Sequence, residues 1–353
     1  MRKRAYKWAA VLTAGALLAS TFTACGDEDT DSTTDSTSTE NEDLEVIRAA
    51  IPTSGTDLSV EFIAVADYSG ILDAQLAEAG YAIEVVGFGG GGTAVIEAME
   101  SDEIDVAFMG DLPEVLASSN GVEIQAFANL NNHSNMGILV SEDSGIESVE
   151  DLEGKTLVTY FSTVLDKYVS DVLEEYGIDE DSVTRINDGA NAATLIASGE
   201  ADAMVSTTAG LQTYVAEGIG NILITSDDEA DLACQFLAVA NTSYMEEHSD
   251  AILAITEALY LTYDWILENP DEVYEAFADK SDYADADMFR EVYNDDTDFD
   301  YFYPTFTDDA IANLEELSQY LVDEEMATNL VDIDSFINTD FLEQAEEELG
   351  ITS

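Results

Sequence analysis

From Leu44 to Thr225 the chain alternates β-leaning apolar runs with helix-like stretches, and this alternation restricts the fold more than any other feature. Leu44–Ile51 reads as a strand stopped by Pro52. Two helical stretches follow, about Leu58–Ala66 and Gly70–Ala79, then a strand at Ala82–Phe88, a helix at Thr93–Glu100 and a strand at Ile104–Met109. Pro113 sits near the start of the next helix, where its missing N–H does no harm. Further along come a capped turn at Ser148–Leu152, strands at Thr156–Tyr160, Val183–Asn187, Asp202–Val205 and Asn221–Thr225, and helices at Val164–Tyr176, Ala190–Ser198 and Thr208–Glu217. From Ser243 onward nearly everything is helical. The expected fold class is α/β, with helices on both faces of each sheet.

Two apolar runs, Asn135–Ser141 and Gln235–Asn241, bracket the middle unit. A chain that leaves one lobe through one strand and returns through another makes two lobes on a two-strand hinge. The expected division is lobe 1 over 44–140, completed by 236–353 with its C-terminal helices, and lobe 2 over 141–235. The cleft between them is a natural ligand site, and hinge closure is the natural motion.

The first residues read as an address. Arg2, Lys3, Arg4 and Lys7 precede the apolar run Trp8–Ala19, which suits a secretory signal over 1–24 and is short of the roughly 20 residues a membrane span needs. It ends in Phe22-Thr23-Ala24-Cys25-Gly26, similar to a bacterial lipobox, so Cys25 is the expected lipidation site. Phe22 stands where Leu is usual, and a plain signal peptide with an incidental Cys is the alternative. Residues 25–43 are nearly all Asp, Glu, Ser, Thr and Asn, the composition of a disordered acidic linker.

The 353 residues carry 76 Asp+Glu against 10 Lys+Arg, a formal charge of −66. Such a surface repels phosphates and argues against nucleic acid as a partner. Two His and two Cys leave little for a zinc site or a disulfide framework. Asp295–Asp300 hints at calcium but lacks the glycine and distal Glu of an EF-hand, so no metal and no cofactor is expected. The motifs G-x-S-x-G, H-E-x-x-H and G-x-x-x-x-G-K-[ST] are missing, and the chain is not expected to be an enzyme.

Five segments, in order, resemble one family. They are Ala94 to Pro113 (AVIEAMESDEIDVAFMGDLP), Ile146 to Thr156 (IESVEDLEGKT), Ala197 to Ala203 (ASGEADA), Tyr263 to Glu272 (YDWILENPDE) and Phe341 to Ala345 (FLEQA). Together they are similar to the substrate-binding lipoproteins of ABC importers for nitrate, sulfonates, taurine and thiamine-pyrimidine precursors, over about Val46 to Leu349. The resemblance implies a type II periplasmic-binding-protein fold that closes on a small solute and hands it to a membrane permease driven by its ATPase. It implies a monomer held outside the cytoplasmic membrane through its N-terminal lipid alone. A sulfonate- or taurine-like solute is one expectation and a pyrimidine or other neutral heterocycle the alternative. Thiamine-precursor enzymes share the fold, and a sensory or adhesion lipoprotein is the reading outside transport.

Ligands in open α/β sheets bind beyond the carboxyl ends of strands. Gly87–Gly92 satisfies G-x-G-x-x-G, but without the acidic partner of a dinucleotide site, so a smaller polar group at Gly92 and Thr93, on the N–H groups opening Thr93–Glu100, is the better reading. A flexible turn is the plain alternative. Thr53, Ser54, Gly110, Asp111, Ser162, Thr163, Thr207 and Thr208 occupy equivalent positions, each of the hydroxyls also readable as a helix cap. Asp111 is read as a cap or as an acceptor for an amine. His133, in the Asn131–Asn135 segment, is a candidate ligand contact or an exposed loop residue. No Arg or Lys falls in these segments, which weakens sulfonate or nitrate and leaves room for a zwitterion or neutral heterocycle.

Overall fold

The computed structural model describes residues 44–53, 60–226 and 234–351. Cys25 and Ser54 lie outside them. Among the described residues the strands form two five-stranded sheets. The first has the order β2 (Tyr81–Phe88), β1 (Glu45–Pro52), β3 (Val106–Gly110), β10 (Cys234–Asn241), β4 (Ile124–Ser134). The second has the order β7 (Thr184–Asn187), β6 (Thr156–Thr159), β8 (Ala203–Thr207), β5 (Met136–Val140), β9 (Asn221–Thr225). The two orders are the same pattern. In each, three strands run parallel, and the next is an antiparallel strand entered just after the chain has crossed from the other sheet.

The central parallel strands β3 (VAFMG) and β8 (AMVST) are buried along their whole length, while β2 and β7 at the sheet edges are partly exposed. Helices α1 (Glu61–Ser69), α2 (Ile71–Glu78), α3 (Gly91–Glu100) and α4 (Asp111–Ser119) cover the first sheet. The second carries α5 (Val164–Glu175), α6 (Ala192–Ser198) and α7 (Thr208–Glu217). The remaining helices are α8 (Thr242–Glu247), α9 (Ser249–Glu268), α10 (Pro270–Asp279), α11 (Ala286–Val292), α12 (Asp308–Asp323), α13 (Ile333–Phe336) and α14 (Asp340–Leu349). Long α9 turns Ile252, Ile255, Leu259 and Ile266 inward and packs on α2, α14 and β4, while α12 and α13 pack on α4 and β4.

Several expected bounds move. Helix α1 starts at Glu61 rather than Leu58, and α3 at Gly91 rather than Thr93. Strand β5 pairs with β8 and β9, so the chain changes sheet at Asn135, five residues ahead of the expected limit at 140. Strand β4 was not anticipated, because Asn129, Asn131 and Asn132 interrupt its apolar run. Two of them are accommodated locally: Asn129 Oδ1 accepts from Asn131 N at 3.1 Å, and Asn131 Oδ1 from His133 N at 2.9 Å, while Asn132 Oδ1 is buried without a partner. The pairing with β10 is irregular in the same region, as expected where side chains compete with the ladder. His133 therefore lies in a strand and not in a loop.

Asn129 Nδ2 also donates to Gln235 Oε1 at 2.7 Å, and Gln235 Nε2 donates to the carbonyl of Ala310 at 3.0 Å. This buried link ties β4, β10 and α12 together beside the return crossing. Gln235→Ala strands a buried amide and a carbonyl, and it should lower stability by about 2–4 kcal/mol in urea unfolding. A loss under about 0.5 kcal/mol, the scale of an ordinary surface substitution, would show that the link is dispensable.

Candidate functional site

In both sheets the strand order reverses between the first and third parallel strands, β1 and β3 in one, β6 and β8 in the other. Crevices form beyond the carboxyl ends at such points. The two crevices face each other. Tyr160, just past β6, donates its hydroxyl to the backbone oxygen of Thr53, just past β1, at 2.7 Å. Gly110, which ends β3, abuts the start of α5 so closely that a Cβ there would lie 2.8 Å from Val164 Cγ2. Gly89 meets Ala190 with slightly more room, since a Cβ there would lie 3.5 Å from the Ala190 methyl.

Tyr160 is the centre of this seam. Its ring lies between Gly91, where a Cβ would approach Cδ1 to 3.2 Å, and Gly189, where a Cβ would overlap the ring. Only a residue without a side chain fits at Gly189 while the seam is shut. Burial, then Tyr214 and Asp188, push the Tyr160 hydroxyl above its ordinary range, so it stays a donor. Lys167 on α5 reaches across to lie 4.9 Å above the Tyr320 ring on α12, and α7 packs against α11.

The structure sorts the sequence-predicted residues. Thr53, Gly110, Asp111, Ser162, Thr163, Thr207 and Thr208 all sit at carboxyl strand ends bordering the seam. Ser162 has φ +59, a strained value for a non-glycine residue of the kind that collects at ligand clamps. Thr163 donates its hydroxyl to the Tyr160 carbonyl at 2.6 Å, and Thr207 caps α7 by accepting from Gly210 N at 3.2 Å. Gly92 is buried against Pro113, and Thr93 is exposed in the first turn of α3. His133 is half-buried in β4, and none of the seam contacts above involves it. Sequence reasoning missed Tyr160 and Glu114. Tyr160 closes an apolar strand and looked like core, and Glu114 looked like one more acid on an acidic helix.

Asp111 is no helix cap: Gly110 holds that place. Its carboxyl is buried and accepts from Gln235 N at 3.3 Å. Desolvation drives it up to about 7, opposed by that bond and by the Lys167 charge. Glu114, at 0% exposure, is driven well above the carboxylate range by burial and then by Asp111. Two such acids in one dry place do not both ionise readily.

Buried polar atoms without a partner include several near carboxyl strand ends: both Glu114 oxygens after β3, Thr159 Oγ1 at the end of β6, and Thr208 Oγ1 just past β8. Asn132 Oδ1 in β4, Thr262 Oγ1 in α9 and the Tyr301 hydroxyl are orphans elsewhere. Unmet capacity of this kind on both edges of a cleft is what a polar ligand would use. On the opposite edge of the first sheet lies a separate hollow of about 320 Å³, walled by Arg48, Asp105, Tyr244 and His248. Among the described residues no group of His, Cys, Asp and Glu converges to hold a metal, and no helix is long and apolar enough to cross a membrane.

A family model described as "NMT1/THI5 like" matches residues 76–273. The chain belongs to the NMT1/THI5-like family. It is 24% identical over 229 residues to the formylaminopyrimidine-binding protein of Halalkalibacterium halodurans, across 64% of this chain and 69% of that one. It is 22% identical over 189 residues to the 4-amino-5-hydroxymethyl-2-methylpyrimidine phosphate synthase of Schizosaccharomyces pombe, across 50% of this chain and 54% of the synthase. The periplasmic sulfonate-binding protein SsuA of Methylobacillus flagellatus superposes with a TM-score of 0.66 at 20% identity, covering 88% of this chain and 97% of that one. The fold is thus the type II periplasmic-binding-protein fold, and the relatives of this NMT1/THI5-like chain include binding proteins and an enzyme.

The Asp111 shift has a sign that can be checked. Its folded pKa exceeds its unfolded one, so the folded state holds the extra proton between about pH 4 and about pH 7. Stability from this group is therefore highest in acid and falls as pH rises to about 7. Asp111→Asn removes the titration. Relative to wild type, it should gain up to about 4 kcal/mol between pH 4 and pH 8 in urea midpoints taken at fixed salt. Parallel curves for the two proteins would refute the shift.

Proposed function

We propose that this protein is the extracytoplasmic solute-binding component of an ABC importer, capturing a small organic solute in the seam and delivering it to the permease. The observation that carries this is the meeting of two carboxyl-end crevices across a two-crossing hinge. The contacts holding them include the Tyr160–Thr53 bond, the Gly110–Val164 approach, Lys167 over Tyr320 and the packing of α7 on α11, and hinge opening would part them as a set. We take the lobes to be residues 44–134 with 234–351, and 136–226. Lipid on Cys25 would hold a monomer at the outer face of the membrane.

The reading is of a binder rather than a catalyst. Thr163 and Thr207 are engaged in bonds that shape their own turns. Burial raises the Cys234 thiol well above its ordinary range, away from the thiolate a nucleophile needs. Among solutes, sulfonates, taurine among them, and aminopyrimidines are the classes that the relatives suggest.

Gly110→Val tests the seam. Its backbone φ of −70 suits valine, so the first lobe should fold normally while the new side chain wedges against Val164. In calorimetry against a panel of taurine, alkanesulfonates, nitrate and aminopyrimidines, the wild type should bind one class at a single site. The variant should bind it at least about tenfold more weakly, with little change in its ligand-free melting. No binder in the panel, or equal affinity in the variant, would overturn the proposal.

A further inference from the structure

The first turn of α4 brings together features that solute capture in a cleft does not by itself explain. Asp111 and Glu114 stand three residues apart on the helix, so their carboxyls leave the same face. Asp111 on that face looks onto the return strand at Gln235, where its one cross-strand bond, at 3.3 Å, is long. Glu114 is wholly buried and neither of its oxygens has a partner. A carboxyl fully desolvated without a partner is a costly thing for a fold to keep, and it calls for a donor that arrives from outside the chain. Across the seam the buried Thr159 and Thr208 hydroxyls are also unpartnered and can accept hydrogen bonds.

The cations tell the same story from the other side. Among the described residues every Lys and Arg is engaged: Arg48 by Asp105, Lys155 by the Ser144 carbonyl, Lys167 by Asp171, Arg185 by Asp166 and Glu180, Lys280 by Asp67, Arg290 by Asp271. Lys167 comes nearest the acid pair, and its ammonium is held between Asp171 and the Tyr320 ring. The cleft therefore offers carboxyl oxygens and hydroxyls but no uncommitted cation. A solute whose recognised group is an anion would find no free cation to pair with here.

We propose that Asp111 and Glu114 are the ligand-recognising pair of the cleft, and that the solute presents to them a protonated nitrogen group, an ammonium or amidinium. This rests on the solute-binding reading. Carboxylates accept only, and a nitrogen cation supplies both the donors and the charge they lack. One group of this kind satisfies both acids at once, and it also removes the conflict between two neighbouring carboxylates. Discrimination follows from the same chemistry. An analogue without the nitrogen leaves Glu114 buried and unpaired, and a site built for hydrogen bonds rejects such analogues strongly.

The test uses the purified full chain and probe pairs that differ only in the nitrogen: taurine against ethanesulfonate, and 4-aminopyrimidine against pyrimidine. Calorimetry should find binding by a nitrogen-bearing member and none by its counterpart. Glu114→Gln keeps the shape and removes the acid that a nitrogen cation would ionise and pair with, and it should weaken that binding between tenfold and a hundredfold with unchanged circular dichroism. Equal binding by a nitrogen-free partner, or unchanged affinity in Glu114→Gln, overturns the assignment while leaving solute binding intact. Should the variant fail to fold, the wild-type comparison within each pair still decides. If no probe in these pairs or in the wider panel binds, the solute-binding reading falls, and this assignment with it.

Discussion

The first sheet depends on a strand that the chain delivers only after it has built the second. Strand β10 enters the first sheet only after the chain returns from the second, and β5 enters the second as soon as the chain leaves the first. Both are inserted antiparallel, in the position next to the third parallel strand, and both are buried along nearly their whole length. The first sheet cannot be completed from one continuous segment, whereas all five strands of the second lie within Met136–Thr225. The crossings are thereby fixed at the interior of the molecule, and the carboxyl ends of β1, β3, β6 and β8 are turned toward one another.

That arrangement concentrates special residues along one line. The glycines at 89 and 110 clear space for the opposite edge, those at 91 and 189 flank the Tyr160 ring from the two lobes, and Ser162 accepts a left-handed backbone to turn into α5. The unpartnered hydroxyls and the buried acid pair fall on the same line. Elsewhere most carboxylates lie at the surface, and the buried Glu61, Asp105 and Glu257 each have a side-chain partner. Departures from local consistency gather where a fold is put to use.

The strand–helix alternation is readable because most of the parallel strands are short apolar runs between glycine or polar turns, and helices such as α5 show one apolar stripe. The ends of α7 and β9 came out as read. Strand β4 did not, since Asn129 and Asn131 are satisfied by neighbours along the chain and, at Asn129, by Gln235, a partner more than a hundred residues away. The strand-end hydroxyls could be nominated from topology alone. Tyr160 and Glu114 could not, because an aromatic after a strand and an acid on a helix have the same local appearance in a core or on a surface. The His133 segment misled for a related reason: a polar string reads as loop unless its pairing strand is known.

By itself the sequence determined the fold class, the existence of two α/β units, the polar linker composition and the family. These follow from periodicity, composition and short-range order, which are properties of neighbouring residues. Tertiary structure alone decided which strand joins which sheet, that Tyr160 bridges to Thr53, and that two of the many acids are buried together. Those depend on contacts between residues far apart in the chain, and burial, which sets the charge state of Asp111 and Glu114, has no signature in the residues beside them.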